Sequence, residues 1–501
     1  MKNLTRYVEF HARLRPDADA LVFAGEHISW SAFHDRILAT AAGLAEHSVG
    51  PDTIVALAMK NSPAFLELTY ALSHLGAIAL PLNYRLSAEE VGYIVDHAGT
   101  ALALADEELL GLTSDLTIPV LTVDAEAQRD SRALFGGIRH QAPIVPRSGD
   151  DLYRLMYTSG TTSRPKGVMI TYDNLYWKNV DHIIALQVSA EDRLCVVGPL
   201  YHVGGCELPG LAVHMAGGTI LLLRDFDAVA TLDMIATERA TGIWLAPVMT
   251  NAILAEPSAR RFDTSCLKWC IAGGERTPES RIRSFVEAFP ATRYVDAYGM
   301  TETVSGDTLM EPGFEIAKIG SVGRALQFVE IEIRDDAGHT LPPGMDGEIC
   351  MRGAKVTQGY WKEPHRTAEA FWPDGFLRSG DVGHLDDDGF LYLTDRKKDM
   401  IISGGENIAA SEVERVIYEL PQVLEAAVVA RPDARWGEVP VAVVVLREGV
   451  ELDRDSLIAH CRAHLAGFKC PKDLVVRDML PRNPSGKVLK RVLRDELAGD
   501  A

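Results

Sequence analysis

The residues best placed to do chemistry lie in Tyr157–Thr171, YTSGTTSRPKGVMIT. Two glycines, one arginine, one lysine and a run of Ser, Thr and Tyr hydroxyls precede an apolar segment. Hydroxyls and backbone N–H groups can wrap an anion, and Lys166 can neutralise it. The stretch therefore reads as a phosphate loop. It is not the G-x-x-x-x-G-K-[ST] loop of many ATPases, because Lys166 has proline before it and glycine after it. Nor does it contain the dinucleotide fingerprint G-x-G-x-x-G. Taken alone, such a stretch can also be a polar surface loop.

Further segments follow in a fixed order: PLYHVGG (199–205), AGGERTP (272–278), DAYGMTE (296–302), RSGDVG (378–383), DRKKDMIISGGENI (395–408) and PRNPSGKVLKR (481–491). Alternating β and α segments must position them. IVALAM (54–59) reads as a strand, SPAFLELTYALSHLG as a helix and AIALPLN as the next strand. LCVVG, TILLL and GIWLAP repeat the theme, which argues for α/β layers with helices packed on sheets. Near residue 320 the pattern changes to short alternating strands, EIEIRDDAG and GEICMRG. A charged stretch between apolar runs, LYLTDRKKDMIISGGEN, reads as a linker to a small α+β domain of about a hundred residues. Ser411 with Glu414 three residues on resembles a capping box opening a helix there.

The 501 residues carry a formal net charge of −20, which disfavours nucleic acid and anionic membrane as partners. Nothing in the first residues resembles a secretory leader, and no apolar run approaches the roughly 20 residues of a membrane span. Seven scattered cysteines without a Cys-x-x-Cys indicate neither a zinc site nor a disulfide framework, and fit a cytoplasmic setting.

Together the seven segments resemble the acyl-CoA synthetases of the adenylate-forming superfamily, whose other branches are luciferases and peptide-synthetase adenylation domains. The resemblance runs from about residue 5 to 495. It implies an α/β fold with a large N-terminal domain (1–394, β-rich from about 320), a hinge at 395–398 and a small mobile α+β lid (399–501). It also implies a reaction. A carboxylic acid and ATP give acyl-AMP and pyrophosphate, and the acyl group then passes to the thiol of coenzyme A.

By this resemblance Thr158, Ser159, Gly160, Thr161, Thr162 and Lys166 hold the β- and γ-phosphates. Glu302 is the Mg²⁺ ligand and Thr301 the α-phosphate contact. Tyr298 stacks on adenine opposite Gly273, Gly274 and Glu275, with Asp296 and Gly299 beside it. Asp381 accepts the ribose hydroxyls, with Arg396 adjacent. Lys487 bridges the substrate carboxylate and the α-phosphate; taken alone it would read as a solvated surface lysine. Lys398 marks the hinge, and Gly404 and Gly405 line the thiol's path. His202, Val203, Gly204, Gly205 and Met300 face the acid. His202 need not be a base, because a carboxylate is already ionised at pH 7. Cys206 reads as pocket lining, since no activating partner is visible.

Two positions depart from the pattern. Ser163 stands where the family usually has glycine, and Ala409-Ala410 where it often has proline, with Ser411 as a compensating cap. The pocket positions, which also include Trp244 and Val304, are mostly small or apolar. Two glycines after His202 leave room, so a medium or long fatty acid or an arylalkanoic or cinnamic-type acid is expected rather than acetate. A separate carrier protein as acyl acceptor, or an inactive nucleotide-binding homologue, are the competing readings.

Overall fold

The computed structural model describes residues 3–136, 141–158, 164–274, 277–404, 406–433, 435–482 and 488–499. The chain forms two compact units, Met1–Ile331 with Met351–Leu377, and Glu332–Cys350 with Arg378–Ala501. The division falls earlier than the expected boundary at 394. Much of the β-rich segment packs with the chain that follows it. Its strand Leu377–Leu385 pairs antiparallel with Leu391–Arg396. Beyond that pair, Lys397 Nζ lies 2.6 Å from Asp336 and 3.2 Å from Glu348. Compactness is a property of packing, and a hinge is a separate matter.

Unit 1 contains two sheets. The nine-stranded sheet runs in the order Arg324–Ala325, Thr308–Leu309, Arg293–Tyr298, Trp269–Gly273, Gly242–Leu245, Arg193–Val196, Thr219–Leu222, Asp19–Phe23, Glu26–Ser29. The six-stranded sheet runs Val120–Val123, Leu102–Asp106, Ile54–Ala58, Ile78–Pro81, Leu152–Thr158, Lys166–Thr171. Parallel pairings dominate both, and the connecting helices cover the apolar strands. The helix Pro63–His74 shows why the local sequence works. Ser62 caps it by accepting from Phe65 N, proline opens the first turn, and every residue is buried. Leu66 and Leu68 of this helix share one core with Leu21 and Ile220 of the larger sheet and Val55 and Leu104 of the smaller.

In unit 2, Val423–Asp433 and Gly437–Leu446 form a long antiparallel pair; Gly437–Leu446 also pairs with Asp473–Val476 and, at Gly437, with Ile401–Ser403, which in turn pairs with Glu406–Ile408. Helices Ala410–Ile417 and Arg454–His464 contribute Val413, Val416, Leu457 and Cys461 to its core. The expected capping box is not formed. The helix starts at Ala410, and its N-cap Ala409 has no side-chain bond. Ser411 lies inside the first turn, where its N–H donates to Asp395 Oδ2 at 3.1 Å and its hydroxyl to Thr394 O. Glu414 instead accepts from Val428 N at 2.7 Å and pairs with Lys490 at 2.8 Å. A carboxylate from another strand thus supplies what the local motif would have supplied. Among the described residues, no helix is long and apolar enough to cross a membrane.

Candidate active site

The strands on either side of residues 159–163 pair antiparallel, with Thr158 opposite Lys166. Ser159, Gly160, Thr161, Thr162 and Ser163 lie outside the described residues. Thr158 Oγ1 is buried with no hydrogen-bond partner among the described residues, an oxygen suited to a polar ligand. At this end of the paired strands Lys166 Nζ lies 3.0 Å from Glu302 Oε1. The Tyr360 hydroxyl joins the pair. It accepts from Lys166 Nζ at 2.5 Å and donates to Glu302 Oε1 at 2.9 Å. Burial, then the Glu302 charge, hold this phenol well above its ordinary pKa, so it remains a donor. Glu302 is a nearly buried carboxylate, the hard oxygen donor that Mg²⁺ takes, so the residues present fit that ion.

Glu302 stands in a tight turn after the strand Arg293–Tyr298, on which Asp296 and Tyr298 are both buried. A Cβ on Gly299 would fall 2.3 Å from Gly306 N, so the turn folds back over a glycine that has no substitute. Gly273, at the end of the neighbouring strand, is required by the close approach of Ala297 O, which a Cβ would meet at 2.8 Å. Gly274 has φ +97°, a conformation that favours glycine. Glu275 lies outside the described residues.

A fully buried set of charges braces this turn. Lys355 Nζ donates to Gly306 O at 2.5 Å and lies 3.0 Å from Asp181 and 3.4 Å from Asp307. Thr303 Oγ1 also donates to Asp307, and Thr357 N donates to Glu302 O at 2.7 Å. Burial pushes the Asp307 carboxyl up to about 6 despite Lys355, and pushes His182, beside Asp181, down to about 4.

On the acid side, Gly204 N donates to His202 Nδ1 at 3.0 Å. Burial lowers His202 to about 4, so the ring is neutral with its proton on Nε2. The room expected beyond His202 is already taken. The Trp244 indole lies against Gly204, where a Cβ would fall 2.6 Å from its ring, and against Gly198 upstream, where a Cβ would fall 2.5 Å from it. His202 and Trp244 lie nearly parallel, with ring centroids 6.2 Å apart. Gly205 is pressed against Pro199 O, which a Cβ would meet at 2.2 Å. Val203 is buried, as is Cys206, whose thiol is pushed up to about 12 by burial and so is no nucleophile. Met300 opens the Thr301–Thr303 turn, where its carbonyl accepts from Thr303 N and Ser305 N.

Unit 2 brings together a second group. Asp381 and Arg396 face each other across paired strands, with Arg396 Nε 3.4 Å from Asp381 Oδ1. Lys398 follows in a turn whose carbonyl accepts from Arg494 Nη1 at 2.8 Å. Burial, then Arg396, lower the Lys398 pKa. Gly404 has φ +62°, and a Cβ there would fall 2.9 Å from the Trp436 ring. Gly405 and Lys487 lie outside the described residues.

Sequence reasoning missed Tyr360, Thr357 and Lys355. All three come from RGAKVTQGYW, a stretch whose residue types carry no chemical signature, and a tyrosine in such a run reads as core. With the geometry in place, residues 8–361 match the family described as AMP-binding enzyme, and 412–487 match the AMP-binding enzyme C-terminal domain. The chain belongs to the AMP-binding enzyme family. Feruloyl-CoA synthase of Amycolatopsis sp is 36% identical over 487 residues, 96% of this chain and 96% of that protein. Long-chain-fatty-acid–CoA ligase FadD13 of Mycobacterium tuberculosis is 35% identical over 451 residues, 88% of each. The solved structure of o-succinylbenzoate CoA synthetase (MenE) from Bacillus subtilis with the acyl-adenylate intermediate OSB-AMP matches with a TM-score of 0.88, at 31% identity and 98% coverage of both chains.

For this AMP-binding enzyme the His202 geometry makes a direct prediction. A pKa lowered to about 4 leaves the ring almost wholly uncharged from pH 5.5 upwards. Nitrogen-15 NMR of labelled histidine, assigned with His202→Asn, should show an Nε2-protonated neutral ring unchanged from pH 8 to 5.5. A titration midpoint near 6.5 would contradict the buried placement.

Proposed function

We propose that this enzyme is an acid–thiol ligase. It joins a carboxylic acid to ATP to give acyl-AMP and pyrophosphate, and then passes the acyl group to coenzyme A with release of AMP. The observation that carries the reading is the meeting of Lys166 and Glu302 at one point of unit 1, from two distant segments. A carboxylate attacking a phosphate brings two anions together, and their repulsion has to be cancelled. Lys166 neutralises the β- and γ-phosphates, Thr301 contacts the α-phosphate, and Lys487 bridges the attacking carboxylate and the α-phosphate. Mg²⁺, held by Glu302, supplies further neutralisation of phosphate charge when bound. Asp381 takes the ribose hydroxyls with Arg396 beside it. Neutral His202 guides the acid without removing a proton from it.

The second half-reaction is assigned to a rotation about Lys398 that withdraws Lys487 and opens a path for the thiol past Gly404 and Gly405. Lys487→Ala should slow acyl-AMP formation by about 10²–10³ and spare thioester formation from supplied acyl-AMP. Lys398→Pro, which fixes φ near −65°, should do the reverse. Equal loss of both half-reactions in either variant would sink the division of labour. Seven free cysteines accord with a reducing, cytoplasmic setting.

For the acid we favour a planar aryl acid of the arylalkanoic or cinnamic type. Trp244 fills the glycine-lined space with a flat apolar face parallel to His202, which suits stacking and shortens the room for an extended alkyl chain. The related ligases act, by their names, on feruloyl, long-chain-fatty and o-succinylbenzoate groups, so a fatty acid is the second reading. Mass spectrometry of one incubation with ATP, Mg²⁺, coenzyme A and a mixed acid pool tests both. Wild type should yield aryl-CoA products, and Trp244→Ala should shift the yield towards longer and bulkier acids. Acyl-AMP without thioester would move the acceptor to a carrier protein, and an alkyl-CoA product from wild type would overturn the aryl assignment.

A further inference from the structure

Tyr360 is absent from every motif that directed attention to this site, yet its hydroxyl makes two bonds there, one to each charged group. We propose that Tyr360 is the positioning residue of the phosphate end of the site, setting the separation and orientation of Lys166 and Glu302; this rests on the adenylating function proposed above. The geometry is a closed triangle. Lys166 Nζ is 2.5 Å from the hydroxyl and 3.0 Å from Glu302 Oε1, and the hydroxyl donates to that same oxygen at 2.9 Å. The ammonium also stands 4.0 Å from the centroid of the phenol ring, within the range of a cation–π contact.

The backbone makes this arrangement specific. Residues 359–361 dock on the strand that carries Lys166. Met169 N donates to Gly359 O, Trp361 N donates to Gly167 O at 2.8 Å, and Val168 and Tyr360 form a bridge. Tyr360 N in turn donates to Thr367 Oγ1 at 2.9 Å. The same short segment holds the Glu302 carbonyl through Thr357 N at 2.7 Å. Tyr360 is therefore fixed to the elements that present both charges, and its ring is buried.

The hydroxyl does something a phenyl ring cannot. A part-exposed lysine and a buried carboxylate at 3.0 Å attract, and each would be spent on the other. A protonated phenol that accepts from the ammonium and donates to the carboxylate shares both charges. It leaves lone pairs of Glu302 and N–H bonds of Lys166 directed outwards. Removal of the hydroxyl should tighten the direct pair and weaken what binds both groups, namely the β- and γ-phosphates with their cation. A ligand without those phosphates should be indifferent.

The test is isothermal titration of the full-length protein and Tyr360→Phe with ATP and with AMP, both in Mg²⁺. The ATP dissociation constant should rise about tenfold, the size of one lost hydrogen bond to a charged group, while that of AMP and the unfolding temperature stay the same. ATP and AMP weakened alike would reduce Tyr360 to a structural role and overturn the inference, as would no change in either. Wild type that binds neither nucleotide would overturn the proposed function, and the inference with it. ATP weakened while AMP binding holds would uphold the inference, and tighter ATP binding would overturn it.

Discussion

Val304, Ser305 and Gly306 adopt positive φ in succession, at 55°, 67° and 68°, and the site depends on keeping them there. A β-branched valine in that region is strained, at about 1–3 kcal/mol. The conformation lets the chain reverse over Gly299 straight after Thr301 and Glu302, so both side chains leave the turn at fixed angles. Ser305 N to Met300 O and Asp307 N to Tyr298 O close the reversal. Lys355 completes it by binding the Gly306 carbonyl while paired to two buried carboxylates. Removing one partner from such a set leaves an uncompensated buried charge, so its members are strongly interdependent. Strain in the turn and charge in the core are parts of one device, with Glu302 at its end.

The same economy of space shapes the acid side. Glycines at 198 and 204 do not create a void; they admit the Trp244 indole to a place no side chain at those positions would allow. Gly205 is bare because the backbone of Pro199 lies against it. Three glycines that read alike in sequence thus serve two steric ends, one admitting an indole and one a backbone carbonyl.

Much of this was legible in the chain, and the reason is locality. The strands at 54–58, 78–81, 193–196, 219–222 and 242–245 follow from apolar runs bounded by turn residues, information that sits within the segment itself. Lys166 stood out because a lysine among glycines and hydroxyls carries a chemical signature, whereas Thr301 and Glu302 were expected only from the resemblance of DAYGMTE to the family's segment. What was not legible depended on partners distant in sequence. Ser411 does not cap because the helix begins at Ala410, and Asp395, on the strand Leu391–Arg396, accepts from Ser411 N instead. The packing of 332–350 with the chain after 378, which includes Lys397 beside Asp336 and Glu348, also joins segments distant in sequence. Tyr360 has no local mark at all, and its importance appears only when Lys166 and Glu302 stand beside it.

The central claim is that the carboxylate of the acid attacks the α-phosphorus of ATP and leaves an oxygen behind. That oxygen can be followed. With an accepted acid labelled by oxygen-18 in both carboxylate positions, one turnover in the presence of ATP and coenzyme A should place one labelled oxygen in AMP and leave one in the thioester carbonyl. Mass spectrometry of the two products reads both. Label in inorganic phosphate with release of ADP would mean attack at the γ-phosphorus, and unlabelled AMP would mean that no acyl adenylate forms; either would contradict the account.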